Sequence, residues 1–243
     1  MPELLPLFLN LTGRLVVLVG GGPVATAKLR QLSAAGARVH VVAPDITDEL
    51  AGVLAKSAPE SDPIGERPQS HPPVTLSRRR FEAADLDEAW LVVAAATPEV
   101  NRQVASEAET RRIFVNAVDD PANASAFLSG VVRRDGVTVA ISTSGAAPAL
   151  AALLREGLDS LLPRDLARWV WQARAARVAW RRDGVPMPSR KPQLLQALNA
   201  LYPETEAQAF ANVRSVSGSH ITAISAVERP RVPWLSGPED SWL

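Results

Sequence analysis

Residues Arg14–Lys28 read RLVVLVGGGPVATAK, and the rest of the chain is organised around them. Leu15–Val19 is an apolar run rich in β-branched residues and short enough for a buried strand. Gly20, Gly21 and Gly22 follow at once, and Pro23 stands where a first helical turn tolerates a missing N–H. Val24, Ala25, Lys28, Leu29 and Leu32 then recur with helical spacing. Gly20-x-Gly22-x-x-Ala25 has the G-x-G-x-x-G/A spacing of a dinucleotide fingerprint, in the required order of strand, glycines and helix. Gly20 allows the tight turn, Gly22 lets backbone approach a pyrophosphate, and Ala25 is small enough for the helix to pack near the strand. The helix N-terminus then offers N–H groups to phosphate. A merely structural tight turn is the alternative.

Working outward, Gly36 stands where the first helix should end. Val39–Ala43 reads as the second strand, followed by Pro44 and Asp45. Asp45 lies 23 residues after Gly22, near the separation of about 20 for an acid that accepts ribose hydroxyls. Equally, it could cap a helix over 46–55. No arginine directly follows the second strand, which favours NAD over NADP. Before the first strand, Leu4–Leu11 reads as an extended lead-in packed on the sheet edge. Residues 57–73 hold five prolines and read as a surface loop, in which His71 is solvated.

Val74–Leu76, Leu91–Ala96 and Ile113–Ala117 read as further strands, with a helix over 99–111. This alternation predicts an α/β, Rossmann-like, doubly wound parallel sheet. Ligands of such sheets sit beyond the carboxyl ends of the strands. The crevice is thus expected to gather Gly20–Gly22, Ala43–Asp45, Ala95–Thr97 and Asn116–Asp119, with Pro23, Val24, Ala25, Ala96 and Thr97 among the cofactor contacts. After Pro121 the pattern changes. Ala126–Val132 and Val137–Ile141 read as two strands joined at Asp135-Gly136, a hairpin signal. Pro148 opens a helix through Leu161, and helical patterning continues to about residue 210. The expected segments are 1–117, 118–147, 148–210 and a weakly patterned tail, 211–243.

Composition bounds the rest. The chain has 243 residues, 47% of them hydrophobic, enough for a substantial core. Lys plus Arg and Asp plus Glu are balanced at 26 each, which gives no argument for nucleic-acid or membrane binding. There is no cysteine, so disulfides, thiolate metal sites and cysteine nucleophiles are excluded. The N-terminus lacks the basic region of a signal peptide, and no apolar run reaches the ~18 residues of a membrane span. A cytoplasmic protein is the expectation. His40, His71 and His220 are scattered, so no resident metal site is expected.

Asp119, at the carboxyl end of a strand, is the candidate acid/base; a turn former is its alternative. Asn116 could orient a nicotinamide ribose or the substrate, or be an ordinary strand-end residue. Ser142, Thr143, Ser144 and Gly145 precede a helix, as an anion nest or as a bare cap. Arg174, Arg177 and Arg181 share one helical face, suited to carboxylates or simply solvated. Arg78, Arg79 and Arg80 read as a solvated face, with anion contact as the alternative.

Four separated motifs carry a resemblance: LPLFLNLTGRLVVLVGGGPVATAK (5–28), WLVVAAATPEVN (90–101), FVNAVDDP (114–121) and AISTSGAAPALAALLREGLDSLLP (140–163). They occur in the order of the precorrin-2 dehydrogenase/sirohydrochlorin ferrochelatase family, the N-terminal module of sirohaem synthase, and the resemblance covers roughly 4–182. It implies NAD⁺-dependent oxidation of precorrin-2 to sirohydrochlorin, a tetrapyrrole substrate with eight carboxylates, and Fe²⁺ insertion in some members. It also implies a homodimer joined through the middle segment, here 118–147. The family's catalytic aspartate falls on Asp119, its serine-rich loop on Ser142–Gly145, and a serine phosphorylated in some relatives aligns with Thr143. This sequence departs from the family in its longer loop 57–73, in Ser129-Gly130 where a proline is usual, and in the tail. Its length leaves no room for the methyltransferase domain of the fused enzyme. The rival reading is a non-enzymatic NAD-sensing module, which leaves the AISTSG segment without a role.

Overall fold

The computed structural model describes residues 4–57, 74–128 and 130–202. Most of the proline-rich loop with His71, Ser129, and the tail with His220 lie outside the described residues. Five parallel strands form one sheet: β1 (Leu15–Val19), β2 (Arg38–Val42), β3 (Val74–Ser77), β4 (Leu91–Ala94) and β5 (Phe114–Ala117). Their spatial order is β3-β2-β1-β4-β5. The connecting helices are α1 (Pro23–Ala34), α2 (Asp48–Lys56) and α3 (Pro98–Arg111). This is the doubly wound arrangement expected from the sequence. Its order reverses between β1, which pairs with β2, and β4, which continues to β5. The crevice therefore opens beyond Val19 and Ala94.

Alternation along the strands builds two cores. Val16 and Leu18 face Ala25, Leu29, Leu32 and Leu50 of α1 and α2. Val17 and Val19 face the other way, onto Val104, Ala105 and Ala108 of α3. Because both faces are covered, the strands are apolar throughout. α1 ends as Gly36 predicts. Gly36 has φ +78°, its N–H donates to Ser33 O, and the Ala37 N–H reaches back to Leu32 O at 3.1 Å.

Three local readings need correction. The segment 4–10 does not pack on the sheet edge: Leu5 and Phe8 are 78% and 73% exposed, and of the expected lead-in only Leu11 joins the core. Apolar composition supplied no partner for the earlier residues. α2 begins two residues later than read, and its cap is Thr47, whose Oγ1 accepts the Leu50 N–H. The strand read from Ala126 begins at Gly130, because the preceding stretch is tied to β5 instead. The Ser125 and Ala126 N–H groups donate to Val115 O, and Ser125 Oγ accepts the Val115 N–H.

Beyond the sheet, β6 (Gly130–Arg134) and β7 (Val137–Ile141) pair as a hairpin. Asp135 (φ +49°) and Gly136 (φ +84°) both occupy the left-handed region, the type I′ requirement that Asp-Gly predicts. α4 (Pro148–Leu161), α5 (Leu166–Arg182) and α6 (Met187–Asn199) follow. The chain divides into two compact units, 1–131 with 140–157, and 132–139 with 158–243. In the second unit, Arg134 bonds Asp159 and Leu162 O, each at 2.7 Å. Trp180 Nε1 donates to Gln193 Oε1 at 2.7 Å and joins α5 to α6. Among the described residues no helix is long and apolar enough to cross a membrane.

Candidate active site

The three glycines of the β1–α1 turn do three different jobs. A Cβ on Gly20 (φ +128°) would collide with Ala95 O, and one on Gly21 would collide with Asp45 O. Both positions are dictated by neighbouring backbone. The Gly20 N–H donates to Val42 O and the Thr47 N–H to Gly21 O, each at 3.0 Å, so the turn is braced on both sides. A Cβ on Gly22 would meet nothing within 4 Å. Its open side leaves room for a ligand to approach the backbone. Pro23 occupies the first helical position, no side chain caps this N-terminus, and its first turn carries no acid. The leading N–H groups of a helix lack intrahelical partners, so this end suits a dinucleotide's phosphates. Ala25 is fully buried, as its place in the fingerprint demands.

Pro44 and Asp45 are exposed beside this turn. The capping reading of Asp45 is overturned by Thr47, whose Oγ1 accepts the Leu50 N–H. On the β4 side, the Ala96 N–H donates to Asn101 Oδ1 at 3.0 Å, and Thr97 caps the start of α3 only through its carbonyl. Asn101 is 4% exposed and shares the buried face of α3 with Val104, Ala105 and Ala108. Sequence reasoning missed it. The signal was an amide at an apolar position of a helical stripe.

A cleft of about 310 Å³ opens here, lined by Val24, Ala95, Ala96, Val118 and Asp119 among others. Asp119 is exposed and holds φ +56°, a conformation aspartate tolerates better than most residues. Asn116, by contrast, is buried, and its Nδ2 donates to Ala126 O at 2.9 Å while Oδ1 has no partner among the described residues. Half of this amide is structural; the other half keeps an acceptor vacant.

The hydroxyl loop lies in the same unit. A Cβ on Gly145 (φ +77°) would stand 3.2 Å from the Pro121 ring, so the loop packs on the turn that follows Asp119. Ser142 Oγ accepts the Ser144 N–H at 3.1 Å, and Thr143 Oγ1 accepts the Ala147 N–H at 3.2 Å. Arg174 and Arg177 are exposed on α5 in the second unit, where an Arg174 nitrogen lies beside Gly136. Of the arginine triplet, Arg79 stays 40% exposed but is paired within the protein. Its two Nη atoms fork onto Asp85, whose side chain is 4% exposed. Burial alone would raise the Asp85 pKa. The Arg79 and Glu82 N–H bonds outweigh it and hold the group below its ordinary value.

A second residue missed by sequence reasoning is Lys28, half-buried on α1. Burial pushes its pKa down, while the nearby Asp119 carboxylate works the other way.

Comparison with known proteins agrees with this geometry. The family model "Putative NAD(P)-binding" matches residues 7–130, just over half of the chain, and "Sirohaem biosynthesis protein central" matches 134–161. A siroheme synthase of Tolumonas auensis is 41% identical over 165 residues, covering 68% of this chain and 32% of that protein. One from Pseudomonas fluorescens is 40% identical over 162 residues, 66% of this chain and 32% of its own length. The chain thus spans about a third of the length of these relatives. A solved structure titled "SirC, precorrin-2 dehydrogenase" has the same fold, with a TM-score of 0.56 at 23% identity over 79% of this chain and 88% of that one. Fold, glycine turn and family match converge: the chain belongs to the putative NAD(P)-binding family, and its residues 134–161 match the central segment of sirohaem biosynthesis proteins.

Proposed function

We propose that this protein oxidises precorrin-2 to sirohydrochlorin with NAD⁺. The observation that carries the reading is one cleft holding both parts of the chemistry. Val24, from the glycine-turn helix, and Asp119 line the same cleft. When bound, NAD⁺ supplies the hydride acceptor. The chain's own part is to bind, orient and take the proton. Gly20, Gly21, Gly22, Pro23, Val24 and Ala25 cradle the pyrophosphate at the start of α1. Asp45 accepts ribose hydroxyls, and its charge after Pro44 disfavours the 2′-phosphate of NADP. Ala96, Thr97 and Asn116 border the nicotinamide end, with Asn116 Oδ1 as the open acceptor. A carboxylate oxygen of Asp119 receives the proton that leaves the macrocycle.

The hydroxyls of Ser142, Thr143 and Ser144, beside Gly145, donate to substrate carboxylates, and Arg174 and Arg177 supply bidentate partners for others. In this reading residues 1–117 form the NAD-binding part, 118–147 the dimer contact, and 148–210 the helical part. Leu150, Leu153 and Leu154 form an exposed i, i+3, i+4 stripe on α4, at 48%, 65% and 44% exposure. Such a stripe supports a second copy of the chain as partner, and light scattering should give near twice the 26.0 kDa chain mass. Fe²⁺ enters, if inserted, as a substrate.

Anaerobic incubation with precorrin-2 and NAD⁺, followed by NADH absorbance, tests the dehydrogenase. Subsequent Fe²⁺ or Co²⁺ addition reads the chelatase as a spectral change faster than the uncatalysed one. NAD⁺ binding without NADH formation would favour the sensing module.

A further inference from the structure

Asn101, in the first turn of α3, is 4% exposed, yet it lines the cleft with Val24, Pro98 and Asp119. Its backbone and its side chain are both tied to the turn that leaves β4. The Asn101 N–H donates to Thr97 O at 2.8 Å, and its Oδ1 accepts the Ala96 N–H at 3.0 Å. A backbone N–H can only donate, so the side-chain atom that meets it is the amide oxygen. That fixes the other end of the amide as the Nδ2 donor. Nδ2 makes no hydrogen bond among the described residues, and it is not one of their sealed, partnerless atoms. It therefore reaches accessible space, and the space that Asn101 borders is the cleft. Side chains near a helix start lean back over the preceding turn, which here includes the cleft-lining Ala95, Ala96 and Pro98. A brace for this turn needs only the oxygen. The amide adds N–H donors that the turn does not use.

The place of the cleft says which acceptor comes to that donor. Val24 follows the glycine turn, where the pyrophosphate binds in the dehydrogenase reading, and Asp119 takes the proton. The nicotinamide ring has to lie between the two to accept a hydride beside that base. Its polar edge is a carboxamide, whose carbonyl oxygen is an uncharged acceptor. We propose that Asn101 Nδ2 donates to the carboxamide oxygen of the nicotinamide. One side chain then braces the β4–α3 turn through its oxygen and orients the ring through its nitrogen. The assignment rests on the dinucleotide reading of the glycine turn.

Calorimetric titration with NADH and with ADP-ribose tests this. ADP-ribose carries the same adenosine, pyrophosphate and second ribose but no nicotinamide. Asn101→Asp keeps an oxygen for the Ala96 N–H and puts a second oxygen where the donor was. It should raise the NADH Kd roughly tenfold or more, because an acceptor then faces an acceptor, while the ADP-ribose Kd moves by less than about twofold. Asn101→Ala removes brace and donor together, and should raise the ratio of the NADH Kd to the ADP-ribose Kd by about fivefold. Loss of folded protein weakens both ligands alike, so the ratio reads the nicotinamide contact and not the brace. An unchanged ratio in either variant overturns the assignment while the dinucleotide reading stands. A wild-type protein that binds neither ligand would sink the dinucleotide reading, and the assignment with it.

Discussion

The turn from β1 into α1 and the turn from β7 into α4 both pass through glycine into a helix opened by proline, at Pro23 and Pro148. They treat their backbone donors in opposite ways. Around Gly20–Gly22 no side chain caps the backbone N–H groups of the helix start, and Gly22 faces open space. Around Ser142–Gly145 the chain supplies its own acceptors: two hydroxyls take the Ser144 and Ala147 N–H groups. A helix N-terminus serves an external anion only where the sequence withholds an internal one. The first turn therefore leaves its helix N-terminus open to an external anion. In the second, hydroxyls accept from the backbone and fill that role internally. Glycine before a helix is the same signal in both; the neighbouring side chains decide its meaning.

Substitutions can break or sharpen this contrast. Asp119 precedes Pro121, on which the second turn packs, and lines the cleft of the first. Asp119→Ala should cost dehydrogenation roughly 10²–10⁴-fold in kcat while NAD⁺ still binds; near-full turnover would remove it from the mechanism. Gly21→Ala forces a methyl group against Asp45 O and should destabilise the fold by about 3 kcal/mol. A thermal melt that matches the wild type would contradict the close approach. Gly22→Asp should leave that melt intact and weaken NAD⁺ binding by roughly 100-fold, since like charges juxtaposed cost several kcal/mol. Unchanged affinity by calorimetry would mean the open cradle is not the phosphate site.

Thr143→Ala removes one self-made cap and should cost about 1 kcal/mol in denaturant unfolding, with cofactor affinity unchanged. The smallest expected effect is in acid. Asp85 is held below its ordinary pKa in the folded chain, so its contribution is present above that ordinary value and is lost as pH falls through the lowered folded one. Asp85→Asn should flatten the acid limb of stability against pH; an identical limb would mean the Arg79 fork is inert.

Most of the architecture could be read because it rests on local rules. Period and punctuation located every strand of the parallel sheet, the bounds of α4, and the left-handed pair Asp135-Gly136. The failures share a cause, which is competition for partners. Asp45 is the cap that the sequence offers, but the braced glycine turn, with the Thr47 N–H on Gly21 O, puts Thr47 in that place. Ser125 and Ala126 could have extended the hairpin, but β5 claims them. Arg79 belongs to a run of three like charges, and no local rule singles it out for Asp85. Asn101 and Lys28 were visible as polar residues in apolar stripes. What each polar group meets is set by elements far away in the chain.

The sequence by itself determined the dinucleotide turn, the doubly wound order of elements and the residues at the carboxyl ends of the strands. These follow from side-chain periodicity and from the backbone freedom of glycine, which act over a few residues. Only the tertiary structure decided which glycine faces open space, which hydroxyls consume backbone donors, and which carboxylate Arg79 meets. Those outcomes depend on distances between segments far apart in the chain, such as Gly20 and Ala95, and local preferences carry no record of them.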